Sequence, residues 1–198
     1  MFKTLQPLVL ASGSPRRKQL LLGLGIEFLV APSRIDESGT GSTGNSPAQT
    51  AKKWACLKAG SVSSQHLDSW ILGADTIVAL DGRIFGKPSG ARDAVDMLKG
   101  LSGRVHEVIT GMCLLAPGGK VRRSCSVATR VHFRDLSIRE VEAYVRTGEP
   151  LDKAGAYGIQ GIGAFLAKSV EGSYTNVVGL PLCEALEWLV GENIIEPV

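Results

Sequence analysis

Residue types that bind anions follow directly after a short apolar run near the start of the chain. Leu8–Ala11 predicts a buried strand, and Ser12–Arg17 (SGSPRR) combines a tight turn with a helix start. A serine can cap that helix and the proline suits its first position, so backbone N–H groups and the positive end of the macrodipole face outward. Such a turn binds phosphate or carboxylate. The candidate ligands are Ser12, Ser14, Arg16 and Arg17.

The anion-site interpretation has one alternative, and two well-known nucleotide-binding motifs are excluded. A capped helix whose two arginines are simply solvated has the same spacing. The turn is neither a Walker loop nor a dinucleotide fingerprint, because the sequence contains no G-x-x-x-x-G-K-[ST] and no G-x-G-x-x-G.

A single carboxylate interrupts an apolar stretch in the middle of the chain. Asp75 lies within Leu72–Val78, and burying its charge is costly unless a metal ion or a cation partners it. Asp36 and Glu37 open a loop rich in Ser, Gly and Thr and could contribute a second carboxylate. A pair of carboxylates with open coordination is how Mg²⁺ is usually held beside a triphosphate. A structural ion pair of Asp75 and an ordinary polar loop are the alternatives.

Further candidates lie beside residues that let the backbone approach a ligand. Lone lysines are usually solvated, so the case depends on the set, since a triphosphate needs several cations. Gln160 lies between Gly158 and Gly161, and its amide offers both donors and an acceptor to a base edge. A turn-stabilising glutamine is the alternative. The lysines are Lys58, Lys87 and Lys153.

Composition excludes several classes of protein. A net charge of +3 over 198 residues, without a basic stripe, argues against nucleic-acid binding. No apolar stretch approaches the roughly 18 residues of a membrane span, and no signal peptide is recognisable. The four cysteines form no C-x-x-C pair, which disfavours zinc and predicts buried or half-buried free thiols in a reducing cytoplasm.

Periodicity and turn signals predict alternating strands and helices. Capping boxes at Ser46/Gln49 and Ser137/Glu140 begin two of the helices, and Asp81-Gly82 suits a type I′ hairpin. The sum is one α/β domain over residues 1–198 with a mixed sheet containing long antiparallel strands. The predicted strands are Leu8–Ala11, Ile26–Ala31, Trp70–Leu80, Arg83–Phe85, His106–Leu115, Val121–Phe133 and Gly163–Ser169. The predicted helices are Pro15–Leu24, Pro47–Ala59, Ala91–Lys99, Ser137 to Gly148, and Pro181–Gly191.

Six blocks of the sequence, in order, resemble the Maf family, which is related by fold to the inosine-triphosphate pyrophosphatases. The likeness spans nearly the whole chain. It is carried by Ala11–Arg17 (ASGSPRR), Gly73–Val78 (GADTIV), Gly86–Pro88 (GKP), Leu101–Gly103 with His106, Asp152–Gly161 (DKAGAYGIQG) and Gly172–Leu182 (GSYTNVVGLPL).

The resemblance implies an elongated α/β fold with two lobes around a cleft and no separable linker. It implies attack of water at the α-phosphorus of a nucleoside triphosphate, release of pyrophosphate, and a requirement for Mg²⁺ or Mn²⁺. A homodimer is a possible assembly.

The resemblance also assigns roles to individual residues. Asp75 would be the general base, a metal ligand or both, and Glu37 would bind metal or water. Gln160 would recognise the base. Phosphate binding and charge neutralisation would fall to Ser12, Ser14, Arg16, Arg17, Lys58 and Lys87.

The blocks DKAGAYGIQG and GSYTNVVGLPL resemble the subgroup that acts on dTTP, UTP and related pyrimidine nucleotides. A pyrophosphatase for 7-methyl-GTP or another modified purine is the nearest alternative. A nucleotide-sensing inhibitor of septum formation without catalysis is an alternative of another class, but a sensor has no need of a buried carboxylate such as Asp75.

Overall fold

The computed structural model describes residues 1–35 and 46–198. The strands are β1 (Phe2–Thr4), β2 (Leu8–Leu10), β3 (Leu29–Val30), β4 (Trp70–Leu80), β5 (Arg83–Phe85), β6 (Val105–Leu115), β7 (Val121–Phe133), β8 (Ala167–Glu171) and β9 (Ile195–Pro197). The helices are α1 (Pro15–Leu22), α2 (Pro47–Ser63), α3 (Ala91–Leu101), α4 (Ile138–Arg146), α5 (Tyr174–Val178) and α6 (Leu182–Gly191). Short 3₁₀ turns occupy Glu149–Asp152, Ala154–Ala156 and Gly161–Leu166.

Within the described residues, seven strands form a mixed sheet, as the sequence predicted. The order is β3-β2-β4-β6-β7-β8, and β5 pairs with β4. β2 is parallel to both β3 and β4, with Leu8 opposite Trp70, whereas the pairs β4–β5 and β7–β8 are antiparallel. β1 and β9 form a separate antiparallel pair. No helix in the described parts of the chain is long and apolar enough to span a membrane.

The chain divides into two compact units, each with its own core. The first comprises Met1–Asp75, Thr110–Val127 and Gly179–Val198, and the second comprises Thr76–Ile109 and Ala128–Val178. The core of the second unit includes side chains from β4, α3, α4 and the 3₁₀ turns. The first unit has two clusters, because successive residues of a strand point to opposite faces of a sheet.

Alternation along β4 determines the surroundings of Asp75. Trp70, Leu72 and Ala74 pack with residues of α1 and α6, whereas Ile71 packs with residues of α2. Asp75 has the same parity as Ile71 and therefore belongs to the face that α2 covers.

Two glycines allow α2 to lie very close to the sheet. A Cβ on Gly73 would lie 2.4 Å from the carbonyl oxygen of Ala55 and 2.9 Å from the Cβ of Ala59. A Cβ on Gly111 would lie 2.2 Å from the carbonyl of Ala51. Since the three alanines recur every four residues, they form one stripe of the helix. This close approach places Lys58, the neighbour of Ala59, beside β4.

Several local predictions are confirmed. Ser46 and Gln49 form the reciprocal capping box of α2, as Ser137 and Glu140 do for α4. Asp81 and Gly82 have φ values of 50° and 78°, as a type I′ turn requires.

Two predicted strands are wrong in extent. The strand predicted over Ile26–Ala31 contains only Leu29–Val30, because the Ile26 N–H turns back to the Leu21 carbonyl at 3.4 Å. The strand predicted over Gly163–Ser169 is Ala167–Glu171, and the residues before it form a 3₁₀ turn.

Two predicted helix ends also differ from the structure. Helix α2 continues through Gly60 to Ser63 and α3 continues through Gly100 to Leu101, so neither glycine ends its helix. The β1–β9 pair and α5 were not predicted.

All four cysteines are free, but Cys183 is exposed, contrary to the expectation of burial.

The close contact of α2 with β4 gives a stability prediction. Gly73→Ala places a methyl group within 2.4 Å of a backbone oxygen, so we expect a loss of about 1–3 kcal/mol in the free energy of unfolding. The matched control is Gly60→Ala on the exposed side of the same helix, where no atom lies within 4 Å of the new Cβ. It should gain about 0.5–1 kcal/mol. Urea unfolding of both variants measures the difference, and equal stabilities would contradict the packing argument.

Candidate functional site

The candidate residues belong to different units and are described unit by unit. Glu37 and its neighbour Asp36 lie outside the described residues. Lys87 and Gln160 belong to the second unit. The candidates in the first unit are Ser12, Ser14, Arg16, Arg17, Lys58 and Asp75.

The turn between β2 and α1 is built around the side chain of Arg17. Arg17 is only 8% exposed, and its Nε donates to the carbonyl oxygen of Gly179 at 2.6 Å. Its Nη1 donates to Oγ of Ser12 at 2.9 Å. The sequence predicted Arg17 as an outward-facing ligand of the anion site, but in the structure its side chain is buried. Its guanidinium connects the turn to the segment before α6.

The two serines of the turn differ in their environments. Ser12 is buried, and its Oγ also accepts the Ser14 N–H at 3.3 Å, which leaves its own O–H able to donate. Ser14 occupies the N-cap position of α1, but its side chain makes no capping hydrogen bond. Arg16 is half-buried. The turn therefore offers an anion the Ser12 hydroxyl, the Ser14 hydroxyl and the Arg16 guanidinium.

Asp75 forms an ion pair with a lysine that the sequence also singled out. The Lys58 Nζ lies 2.6 Å from Oδ1 of Asp75, and the two side chains are 12% and 8% exposed. Two charges at this depth are tolerable because each offsets the cost of burying the other. The structure thus brings together a carboxylate and a cation on the α2 side of the sheet.

The donor set is compatible with a metal ion that is bound mainly by substrate. Within the described residues, no three His, Cys, Asp or Glu side chains are grouped closely enough to hold a metal by themselves. Beside a triphosphate, however, Mg²⁺ needs only one or two protein carboxylates, because phosphate oxygens and water complete its coordination. Asp75 fits the role of such a carboxylate.

In the second unit, Lys87 is an exposed residue on a segment held by the backbone. The Gly155 N–H donates to the carbonyl oxygen of Gly86 at 3.0 Å, directly before Lys87. Gly155 has a φ of 67° and lies against Val78, where a Cβ would approach the valine side chain to 3.0 Å. The segment before Lys87 is therefore connected to the turn that leads towards Gln160.

Gln160 is exposed and lies in a segment fixed by two side chains that the sequence analysis missed. The Glu149 carboxylate accepts the N–H groups of Ile162 and Gly163, each at 2.9 Å. The Tyr144 hydroxyl donates to Oε1 of Glu149 at 2.8 Å and accepts the Gly158 N–H at 3.2 Å. The pair Tyr144–Glu149 thus holds residues 158–163 at both ends.

Hydrogen bonding determines the ionisation of this pair. Partial burial acts to raise the pKa of Glu149, but the bonds from Gly163, Ile162 and Tyr144 outweigh it and lower that pKa. Burial is the main cause that raises the pKa of Tyr144. Glu149 is therefore a carboxylate and Tyr144 a neutral phenol at neutral pH.

The glycines beside Gln160 make room for protein side chains. A Cβ on Gly161, whose φ is 74°, would lie 2.7 Å from the Glu149 carboxylate, and one on Gly163 would lie 2.4 Å from the Tyr144 hydroxyl. The sequence predicts that Gly158 and Gly161 leave space for a ligand beside Gln160, whereas in the structure Gly161 leaves space for Glu149. Neither helix nor strand periodicity connects Gly161 and Gly163 to their partners, which lie 12 to 19 residues earlier in the chain.

Lys153 is held within the protein. Its Nζ donates to the Glu149 carbonyl oxygen at 2.5 Å and to Oδ1 of Asp152 at 2.6 Å. Its aliphatic part lies beside Gly158, where a Cβ would come within 3.0 Å of the lysine Cε. Lys153 thus supports the same segment as Tyr144 and Glu149.

Comparisons with known proteins agree with the sequence resemblance. Residues 7–191 match the family model described as Maf-like protein. A dTTP/UTP pyrophosphatase of Desulfotalea psychrophila is 47% identical over 195 residues, covering 98% of this chain and 99% of the relative. A dTTP/UTP pyrophosphatase of Syntrophotalea carbinolica is 50% identical, covering 92% of this chain and 83% of the relative.

One solved structure shows a distant likeness. It is a nucleoside-triphosphatase, also titled dITP/XTP pyrophosphatase, from Mycobacterium abscessus, with 15% identity and a TM-score of 0.46. The alignment covers 94% of this chain and 95% of that one. The likeness is too weak to bear on the site. The family model and the near-full-length relatives are sufficient without it: the chain belongs to the Maf family.

Proposed function

We propose that this protein is a nucleoside-triphosphate pyrophosphatase that converts dTTP and UTP to the monophosphate and pyrophosphate. The observation that carries the proposal is the buried pair of Asp75 and Lys58 in the unit that also presents the Ser12–Arg16 turn. The names of the relatives, which cover nearly the whole chain, support the choice of substrates. The proposal takes residues 1–198 as one catalytic domain.

The proposed reaction needs positioning and charge more than an elaborate nucleophile. The hydroxyls of Ser12 and Ser14 and the guanidinium of Arg16 bind phosphate oxygens, while Arg17 keeps Ser12 in place. The ammonium groups of Lys58 and Lys87 are the proposed cations that neutralise the phosphate charge.

Asp75 takes the proton of the attacking water. The water oxygen forms a bond to the α-phosphorus, its proton passes to the Asp75 carboxylate, and the bond from the α-phosphorus to the bridging oxygen breaks. Pyrophosphate leaves with the electrons of that bond. Lys58 orients the carboxylate before substrate binds, because its Nζ already lies 2.6 Å from Oδ1.

A divalent cation, Mg²⁺ or Mn²⁺, is the proposed cofactor. Asp75 would contribute a carboxylate oxygen to it, and Glu37 is a second proposed ligand. When bound, the metal ion supplies positive charge that polarises the phosphate oxygens.

Gln160 is the proposed base-recognition residue. Its side chain is exposed, and its amide can pair with both a carbonyl and a ring N–H. Uracil and thymine present this pair nearer the sugar than guanine does, so a Gln160 held in one place favours pyrimidines. The relatives named dTTP/UTP pyrophosphatase favour pyrimidines over a modified purine. The buried Asp75 carboxylate favours an enzyme over a nucleotide sensor, because binding alone does not require it.

The reaction itself is the first test. With Mg²⁺, purified protein should release pyrophosphate from dTTP and UTP faster than from GTP, and EDTA should stop it. Chromatography of the nucleotide products, with a pyrophosphate-specific coupled assay, measures the outcome. Diphosphate and orthophosphate as products would contradict attack at the α-phosphorus.

A second prediction separates the chemistry of Asp75 from its structural ion pair. Asp75→Asn should lower kcat by about 100-fold or more, because the amide cannot take a proton. Breaking a buried pair also costs up to about 3–5 kcal/mol of stability, so kcat is measured well below the Tm of the variant and corrected for the folded fraction. Adding Lys58→Met removes the ammonium that would face the new amide and should raise Tm towards the wild-type value without restoring kcat. Full turnover in either variant would remove Asp75 from the mechanism.

The neighbouring arginines should behave differently. Arg17→Ala removes donors from the Gly179 carbonyl and from Ser12, so it should cost about 1–3 kcal/mol of stability. Arg16→Ala should leave Tm nearly unchanged and raise KM for UTP, dTTP and GTP by similar factors, since phosphate contacts carry no base information. Thermal unfolding and steady-state kinetics test both. An altered base preference in Arg16→Ala would contradict its assignment to phosphate.

A further inference from the structure

The segment that carries Gln160 is held by hydrogen bonds to its backbone. Three N–H groups, those of Gly158, Ile162 and Gly163, donate to the Tyr144 hydroxyl or the Glu149 carboxylate. The Gln160 side chain takes no part in these bonds, and it is exposed. Because the anchors lie on either side of residue 160, they fix the backbone from which this side chain projects.

The two anchoring side chains are themselves well fixed. Tyr144 is 2% exposed and packs in the core of the second unit, with its ring edge-on to Phe165 at 6.0 Å between centroids. Glu149 is half-buried, and Tyr144 donates to the same Oε1 that accepts the Gly163 N–H. Since a carboxylate bound by two backbone N–H groups and a phenol has little freedom to move, the segment inherits the rigidity of the core.

We propose that Tyr144 and Glu149 are positioning residues for base selection, which hold residues 158–163 so that Gln160 meets the base in one orientation. The inference rests on the proposed function, since it requires that Gln160 recognises the base. Neither residue touches substrate. Their contribution is to the discrimination between bases and not to the binding of phosphates.

The charge of the Glu149 side chain is essential to this arrangement. Both carboxylate oxygens accept hydrogen bonds, and all of their partners in this segment are N–H or O–H donors. In Glu149→Gln one oxygen becomes an NH₂ group, which cannot accept from Ile162 or Gly163. Tyr144→Phe keeps the buried ring but leaves Gly158 without its acceptor and Glu149 without its phenol donor.

The test measures base selectivity, which does not depend on the folded fraction of a variant. We expect Tyr144→Phe and Glu149→Gln each to lower the ratio of kcat/KM for UTP over GTP by about five-fold or more, as loss of a buried polar partner allows. kcat/KM for methyl triphosphate, which has no base, should stay within about two-fold of wild type. Adding Gln160→Ala should produce no further loss of the ratio, because both changes remove the same recognition.

The matched control is Tyr157→Phe. Tyr157 is a buried tyrosine of the same core, and its hydroxyl pairs with His106 at 2.7 Å instead of the Gln160 segment. It should lower Tm as Tyr144→Phe does but keep the UTP-to-GTP ratio. If Tyr144→Phe and Glu149→Gln slow all three substrates in proportion, or if their effects add to that of Gln160→Ala, Tyr144 and Glu149 are structural only and the inference is wrong.

Binding of α,β-methylene analogues separates this inference from the proposed reaction. These analogues of UTP and GTP cannot be cut between the α- and β-phosphorus, and calorimetry in Mg²⁺ gives the ratio of their Kd values. A wild-type preference for the UTP analogue that both variants reduce supports the positioning role even if no nucleotide is hydrolysed. Hydrolysis of UTP with an unchanged Kd ratio in the variants overturns the positioning role and leaves the proposed reaction intact.

Discussion

The packing of the first unit must keep a buried carboxylate and its buried counterion together. The Lys58–Asp75 pair is tolerable only while the ammonium stays within hydrogen-bonding distance, because either charge alone at that depth costs several kcal/mol (roughly 3–5). The distance depends in turn on how closely α2 can approach β4, and therefore on the absence of a side chain at Gly73. A packing detail of the backbone thus determines the electrostatics of the candidate site.

The two units hold their candidate residues by different means. In the first unit, side chains hold other side chains: Arg17 bonds to Ser12, and Lys58 bonds to Asp75. In the second unit, side chains hold the backbone, since Tyr144 and Glu149 bind N–H groups on either side of Gln160. The first arrangement fixes the positions of individual functional groups, whereas the second fixes a segment and leaves its side chain outward.

Features encoded by a few consecutive residues were predictable from the sequence. The capping boxes at Ser46 and Ser137 and the turn at Asp81-Gly82 depend on neighbours within three residues, and each formed as expected. The need of a lone Asp75 in an apolar run for a charged partner was also visible, because burial of charge is costly in any fold, and Lys58 is that partner. The periodicity of apolar residues and the turn residues predicted the mixed α/β fold and most of the strand boundaries.

Features that depend on distant partners were not predictable. The inward turn of Arg17 depends on Gly179, which lies 162 residues later in the chain. The roles of Gly161 and Gly163 depend on Glu149 and Tyr144, which no spacing rule connects to them. The predicted strand over Gly163–Ser169 failed for the same reason, since Glu149 takes N–H groups at its start.

A loop that is held by hydrogen bonds to its backbone N–H groups does not depend on the side chain that projects from it. Any residue that accepts the extended conformation at position 160, where φ is −102° and ψ is 161°, can replace the glutamine without disturbing the bonds of its neighbours. A single codon change there alters which chemical group faces outward and leaves the supporting scaffold intact. With Gln160 as the proposed base-recognition residue, one substitution there would change the ligand preference at little cost to folding.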